Sequence, residues 1–445
     1  MSFSRGGFQE ARGRTSGAQW YVENLKELLD SPGEWFLEKA TSTLYLWPNS
    51  TTYETDSYAV PTLSTLVSIV GDEWKSKPVT GVTLDSVEFG YTLSTFMGAY
   101  EVPSAGDWSI PRMGAVEANG TEDVTIRNCV FNSLGGNGVY LRGYVNNTVI
   151  DSNEFVWLGA SAVVAAGANN YETAEPWDHT AGEYPRFTAF THNFVHEIGV
   201  YTKQSAGFFH AMSAFTTVSR NVIFNGPRSG VNFNDGFVGG NIVSENLMFA
   251  LVRSTIDHGP FNSWSRQPYM WTSFETGKPT YDTLISHIST NFLLGSKSAQ
   301  KTADHDDGSG FYHDSNNFCP YGSSKIKGWN VTTSNAVILF STWSDVCVHQ
   351  VVPIAPEAGL AYTNNTCVVQ GSNIYALSGP CDSGNLMTST NRFYTSGEVS
   401  VSCGKDKYAT FTDWQKAGND EGSTVTVGMP DTATMLQWGR DALGF

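Results

Sequence analysis

The chain has 445 residues, of which 40% are hydrophobic, 13% aromatic and only 16% charged, with 44 glycines. That is the composition of a strand-and-turn protein with a substantial core, and it excludes a disordered chain. Asp and Glu outnumber Lys and Arg by 43 to 26, a formal charge of −17, which repels phosphate-rich partners and argues against nucleic acid.

From the N-terminus, Met1 to Phe8 carries no apolar run of signal-peptide length, and no later window is long enough to span a bilayer. The start falls in mid-architecture, so an upstream part of the fold or another domain is expected before it. Residues 1–60 read as an N-terminal segment and cap: a short helix over 22–29, a Pro32-Gly33 turn, and strands through 35–37 and 44–47.

Residues 61–380 carry a repeating unit in which a short β-branched strand runs into an Asn and then into a second strand, as in Val124-Thr-Ile-Arg-Asn-Cys-Val-Phe131, Val218-Ser-Arg-Asn-Val-Ile-Phe224 and Val243-Ser-Glu-Asn-Leu-Met-Phe249. Asn128, Asn153, Asn193, Asn221, Asn246, Asn291 and Asn317 mark its register, most often about 25 to 28 residues apart, the length of one solenoid coil. An Asn at such a corner tolerates the left-handed backbone and bonds to the Asn of the next coil, so these residues are read as structural. The predicted fold is all-β, a right-handed parallel β-helix of pectate-lyase type. Residues 381–445 supply the last coils and a closing segment around Phe411–Lys416.

Wider steps in the repeat place insertions at roughly 170 to 186 and 259 to 283. Stacked at one corner they form the walls of a groove, with Trp177, Trp264, Tyr269 and Trp271 either stacking on sugar faces or pinning the loops to the solenoid.

Charge is sparse, yet it gathers in Gly226-Pro-Arg-Ser-Gly230, Asn232-Phe-Asn-Asp-Gly236, Arg253-Ser-Thr-Ile-Asp-His258, Asn262-Ser-Trp-Ser-Arg266 and Asp304-His-Asp-Asp-Gly-Ser309. Stacked coils bring such residues together. Asp257 and the Asp306-Asp307 pair lie about two coils apart in sequence, the 259 to 283 insertion accounting for the excess, and facing one another they would supply the two carboxylates that glycoside hydrolysis needs, one protonated and one ionised. Asp235 and Asp307 are supporting acids. Arg228, Arg253 and Arg266 hold acidic groups of a substrate or neutralise the aspartates. His258 is an alternative proton donor, and His196, His305 and His313 are further acid–base candidates. Asp304, Asp306, Asp307 and Asp314 also resemble a hard-cation set, which makes calcium a candidate cofactor, without the spacing of an EF-hand. No GxSxG, HExxH, Walker or dinucleotide glycine motif is present.

Six cysteines, none in a CxxC pair, include Cys347, Cys367, Cys381 and Cys403 in the last quarter, where bridges staple a chain end. Sequons begin at Asn49, Asn119, Asn146, Asn330 and Asn364. Both features suit an extracellular protein.

The stretch Val22-Glu-Asn-Leu-Lys-Glu-Leu-Leu-Asp-Ser-Pro-Gly-Glu-Trp-Phe-Leu37, followed by Thr43-Leu-Tyr-Leu-Trp-Pro48, resembles the N-terminal segment of β-helix proteins related to glycoside hydrolase family 141, and Trp414 to Ser423 resembles their closing segment. The resemblance implies fucosidase or xylanase chemistry with catalytic carboxylates at Asp257 and Asp306. Departures from that pattern, His258-Gly-Pro-Phe-Asn-Ser-Trp264 after the first Asp and His305 before the second, leave the glycan open. The leading expectation is a secreted hydrolase of a cell-wall or algal polysaccharide. Its rivals are a calcium-assisted polysaccharide lyase and a non-catalytic structural or glycan-binding protein that self-assembles through its strand edges.

Overall fold

The computed structural model describes residues 22–72, 76–96, 98, 100–101, 110–167, 178–235, 238–255, 258–265, 269–295, 301–341, 345–351, 358–378, 386–404, 406–408 and 410–445. The chain divides into two units, residues 1–61 and 62–445. In the first, a short 3-10 turn over Lys26–Leu28 precedes an antiparallel hairpin of Trp35–Glu38 and Thr43–Leu46. The Lys26 ammonium lies 3.5 Å from the centre of the Tyr45 ring, a cation–π contact.

The second unit is a parallel β-helix. From Val163 onward each coil gives one strand to each of three faces, stacked from coil to coil, while the earlier strands Gly114–Arg127 and Asn137–Asp151 each run through two of them. A front face runs through Val163–Ala166, Phe208–Ala211, Val231–Asn234, Phe261–Trp264, Lys301–His305, Ser323–Ile326 and Val348–Gln350. A second runs through Ala189–Thr191, Thr217–Ser219, Ile242–Ser244, Ser286–Ser289 and Tyr312–Ser315. The third is a 12-stranded sheet that includes Phe194–His196, Val222–Phe224 and Leu247–Phe249. Alternation sends every second side chain into the lumen, where Phe131, Phe155, Val195, Ile223, Met248 and Leu293 form one continuous column.

The asparagine ladder forms as the repeat implies, over Asn153, Asn193, Asn221, Asn246, Asn291 and Asn317, with side-chain bonds of 2.9–3.1 Å between successive coils. Two details differ. The left-handed residue is the one before the ladder Asn, as at Arg220 (φ 57°), Glu245 (57°) and Thr290 (57°). Asn128 occupies that left-handed position itself (φ 53°) and bonds Asp85, while Cys129 takes the ladder place and donates its N–H to Asn153 Oδ1.

Asn246 makes four ladder bonds: Nδ2 donates to Val218 O and Asn291 Oδ1, and Oδ1 accepts from the N–H and Nδ2 of Asn221. Asn246→Ala takes the side-chain partner from the Asn221 N–H and from Val218 O on the preceding coil, while Asn291 Oδ1 keeps the Asn246 N–H. The expected cost is about 2–4 kcal/mol, read as a lowered denaturant midpoint; an unchanged midpoint would remove the ladder from the account of stability.

The helix Phe411–Lys416, N-capped by Thr410, buries Trp414 against Tyr375 at 6.1 Å, with its indole N–H donating to Asp420 Oδ2 at the end of the lumen. The helix Thr432–Leu443 lays Met435, Trp438 and Leu443 over Phe318, Val337, Leu339 and Val368, on the outer side of the 12-stranded sheet. Cys347 and Cys367 form a disulfide, Cys403 is also disulfide-bonded, Cys129 and Cys319 are free and buried, and Cys381 lies outside the described residues.

Candidate functional site

The outward side of the front face changes character along the helix axis. Its early coils present Tyr140, Val164 and Phe209, and these are covered, in a second apolar cluster, by Tyr184, Tyr269 and Trp271. The two insertions therefore build one wall. His179 N–H donates to Met270 O at 2.8 Å, Thr272 Oγ1 donates to Thr180 O at 2.9 Å, and Trp271 pairs with Thr280 in a small hairpin whose Phe274 meets Phe187 and Phe215.

This burial corrects the reading of the aromatics as sugar-stacking faces. Tyr269, Trp271 and Trp264 are all but fully buried, and the first two pin the loops to the solenoid. The second insertion also begins later than the repeat spacing implies, because Phe261–Trp264 is a regular coil strand. Trp177 lies outside the described residues.

Beyond the wall the same outward column becomes polar: Phe209 is followed, coil by coil, by Asn232, Asn262, Asp304, Lys325 and His349. Asn262 Nδ2 donates to Asp304 Oδ2 at 3.0 Å, Lys325 Nζ is 3.0 Å from Asp304 Oδ1 and 2.7 Å from Asp306 Oδ1, and His258 Nδ1 is 3.5 Å from Asp304. Lys327 pairs with Asp307 and lies 3.6 Å from Asp306. Burial alone raises the Asp304 carboxyl, but Lys325, His258 and Lys301 outweigh it and hold Asp304 well below the usual carboxylate range. Asp304 is thus a fixed anion at the floor, while Asp306, Asp307, Lys327 and His258 form the rim that reaches solvent.

The turn that carries the two rim aspartates is tethered on both sides. Asp306 N–H donates to Ser263 O at 2.8 Å and Ser265 N–H to Asp307 O at 2.9 Å on one coil, and Gly308 N–H donates to Lys327 O at 3.2 Å on the next. The strands Phe261–Trp264 and Lys301–His305 are neighbours, so the segments that flank the insertion are one coil apart.

His305 and Asp314, expected near the other aspartates, face the lumen instead. His305 Nδ1 meets Ser263 Oγ and Nε2 meets Asp314 Oδ2, each at 2.8 Å, beneath Tyr312. All three are buried, which makes this Ser–His–Asp array a core strut and splits the four-aspartate calcium set, with Asp314 inside and the other three outside. Among the described residues no group of three His, Cys, Asp or Glu side chains is arranged to hold a metal.

Arg228 is buried and bonds Gln204, Arg253 is exposed, and Asp235 is buried with its N–H on Trp264 O. Asp257 and Arg266 lie outside the described residues. His196 pairs with Glu154 on the 12-stranded sheet, and His313 packs on His287 on the second face, both apart from the cluster. Sequence reasoning missed Lys325 and Lys327, for which a lysine in a strand of a charge-poor chain was the available signal, and it placed Asn232 and Asn262 in the polar stretches without a role of their own.

The family described as "Right handed beta helix region" matches residues 114–251. Among solved structures, the chain is similar to a glycoside hydrolase (15% identity over 94% of this chain and 59% of that one, TM-score 0.48). It is also similar to XylC in complex with xylose (10% identity, 80% of this chain and 54% of that one, TM-score 0.44). A third is a tailspike protein mutant of E. coli bacteriophage HK620 in complex with a pentasaccharide (10%, 83% and 57%, TM-score 0.38). The chain spans less than two thirds of the length of each. No curated protein matches it.

Proposed function

We propose that the protein is a secreted glycoside hydrolase, akin to family 141, that acts on a cell-wall or algal polysaccharide through Asp306 and Asp257. The observation that carries this reading is the outward set of Asp304, Asp306, Asp307, His258, Lys325 and Lys327, gathered beside the wall of a charge-poor solenoid. Asp306 is the nucleophile or base and Asp257 the acid, with His258 as proton donor should Asp257 not fill that role. Asp307, Asp235, Arg228, Arg253 and Arg266 support the substrate or the charge balance. Lys325 Nζ bridges the Asp304 and Asp306 carboxylates and fixes the position of Asp306 at the rim.

Secretion accords with the Cys347–Cys367 disulfide, and Asn49 and Asn364 are exposed sequons, whereas Asn119, Asn146 and Asn330 are half-buried. Reducing-end release from fucosylated, xylan and uronate polysaccharides tests the reading, with calcium and with chelator. Turnover that Asp257→Asn and Asp306→Asn each abolish is the expected result. An unsaturated, ultraviolet-absorbing product lost with chelator would select a calcium-assisted lyase, and folded protein without turnover on any polymer would select a binding or structural role.

A further inference from the structure

The corner that follows each strand of the 12-stranded sheet is a column of left-handed residues: Tyr91 (φ 59°), Ser133 (55°), Trp157 (56°), Glu197 (54°), Asn225 (52°) and Ala250 (49°), one per coil. Tyr91 N–H donates to Ser133 O and Ser133 N–H to Val156 O, which ties the first coils of the column together. Such a backbone suits Gly, Asn or Asp, and a bulky side chain in it costs about 1–2 kcal/mol.

At Tyr91 and Trp157 burial does not offset that cost, since these residues are 58% and 56% exposed. Neither ring contacts another ring among the described residues. Other outward aromatics behave differently: His196, Phe224 and Phe249 on the 12-stranded sheet stack face to face at 4.9–5.1 Å, and at another corner Phe187 stacks on Phe215 at 4.9 Å. Tyr201, 48% exposed, lies over the Gly159 backbone two residues beyond Trp157, where an added Cβ would sit 2.9 Å from its ring. Strained, exposed and unstacked aromatic rings held on rigid coils are features that folding alone does not call for.

We propose that Tyr91, Trp157 and Tyr201 form a second glycan-binding strip, away from the carboxylate cluster, for a β-linked polysaccharide whose pyranose rings offer flat axial C–H faces. Tyr91 and Trp157 are two coils apart, about 10 Å at about 4.8 Å per stacked strand, which is the scale of a disaccharide. The small Ser133 between them leaves room for the intervening sugar. Alternate rings of one extended chain then stack on the two side chains along the helix axis, as an aromatic face and an apolar sugar face allow. A protein partner would favour a contiguous apolar face over isolated rings.

The test is depletion from solution by insoluble xylan and by cellulose, with starch as the α-linked control, for wild type, Trp157→Asn, Tyr91→Ala and Asp306→Asn. Asparagine suits the left-handed backbone, so Trp157→Asn is expected to keep or raise the melting temperature while losing at least tenfold in affinity for a β-linked polymer. Its turnover of short soluble oligosaccharides stays at the wild-type value. Asp306→Asn retains binding, so the strip is judged whether or not the protein is a hydrolase. Wild-type protein that binds neither β-linked polymer, or equal binding by Trp157→Asn, overturns the proposal. So does self-association of the wild type, seen by sedimentation, that Trp157→Asn abolishes.

Discussion

Replacing Lys325 by methionine is expected to cost about 3–5 kcal/mol of stability and to abolish turnover, because it takes from a buried carboxylate the cation that does most to hold its charge. Lys325 Nζ lies 3.0 Å from Asp304 and 2.7 Å from Asp306, and its side chain is almost fully buried. Methionine fills a similar volume but leaves Asp304 with Asn262, His258 and Lys301 to compensate its charge. Asp306 at the same time loses the partner that fixes its orientation.

The deficit has a definite pH dependence. In the wild type Asp304 titrates well below the usual carboxylate range, so its contribution is present above the unfolded value of about 4 and persists far into acid. In Lys325→Met the largest of the interactions that hold it down is gone, and the carboxyl moves up. The folded state then binds the extra proton first, and the deficit narrows as pH falls. Adding Asp304→Asn recovers much of the stability, since both charges are then gone, but not the turnover. Denaturant midpoints at neutral and acid pH, beside reducing-end release, decide it: a Lys325→Met protein with wild-type stability and activity would mean that the ion cluster neither holds the coil nor serves the reaction.

The fold was legible because the lumen imposes a repeat that sequence displays directly. A ladder position must be filled by a side chain that both donates and accepts along the axis, and Asn recurs there from Asn153 to Asn317. The error at Asn128 has a physical cause: the left-handed position and the ladder position are adjacent, and Asn suits both, so Asn128-Cys129 and Ser152-Asn153 look one residue out of step. The rim aspartates were legible as a cluster of charge in a chain with little of it. Their partners were not, since Lys325 and Lys327 come from the following coil, and the one local signal, a lysine in the strand Ser323–Ile326, does not say which carboxylates it meets. Tyr269 and Trp271 were ambiguous because a loop rich in aromatics looks the same whether its rings face a ligand or another loop. Only the pairing of residues 178–180 with 270–272 decides between them.

Among the buried polar groups, His210 carries the clearest pH signature. It sits in the lumen between Ala165 and Phe233, stacked on the Phe233 ring at 4.0 Å, and among the described residues neither ring nitrogen has a hydrogen-bond partner. Burial pushes its pKa down from 6.5 to about 3. The folded protein therefore keeps this imidazole neutral, while the unfolded chain takes up a proton below about pH 6.5. Between those values the unfolded state binds more protons, so stability falls as pH falls, by about 1.4 kcal/mol per pH unit for this residue. At pH 5 that is about 2 kcal/mol. His210→Leu removes the titrating group together with two unpartnered nitrogens, and it keeps an apolar contact with Phe233. The variant is expected to match or exceed the wild type at pH 7.5 and to lead by a widening margin down to pH 4. Denaturant midpoints across that range measure the margin directly. Parallel curves for the two proteins would show that His210 is protonated or solvated in the folded state, and that the acid sensitivity arises elsewhere in the solenoid.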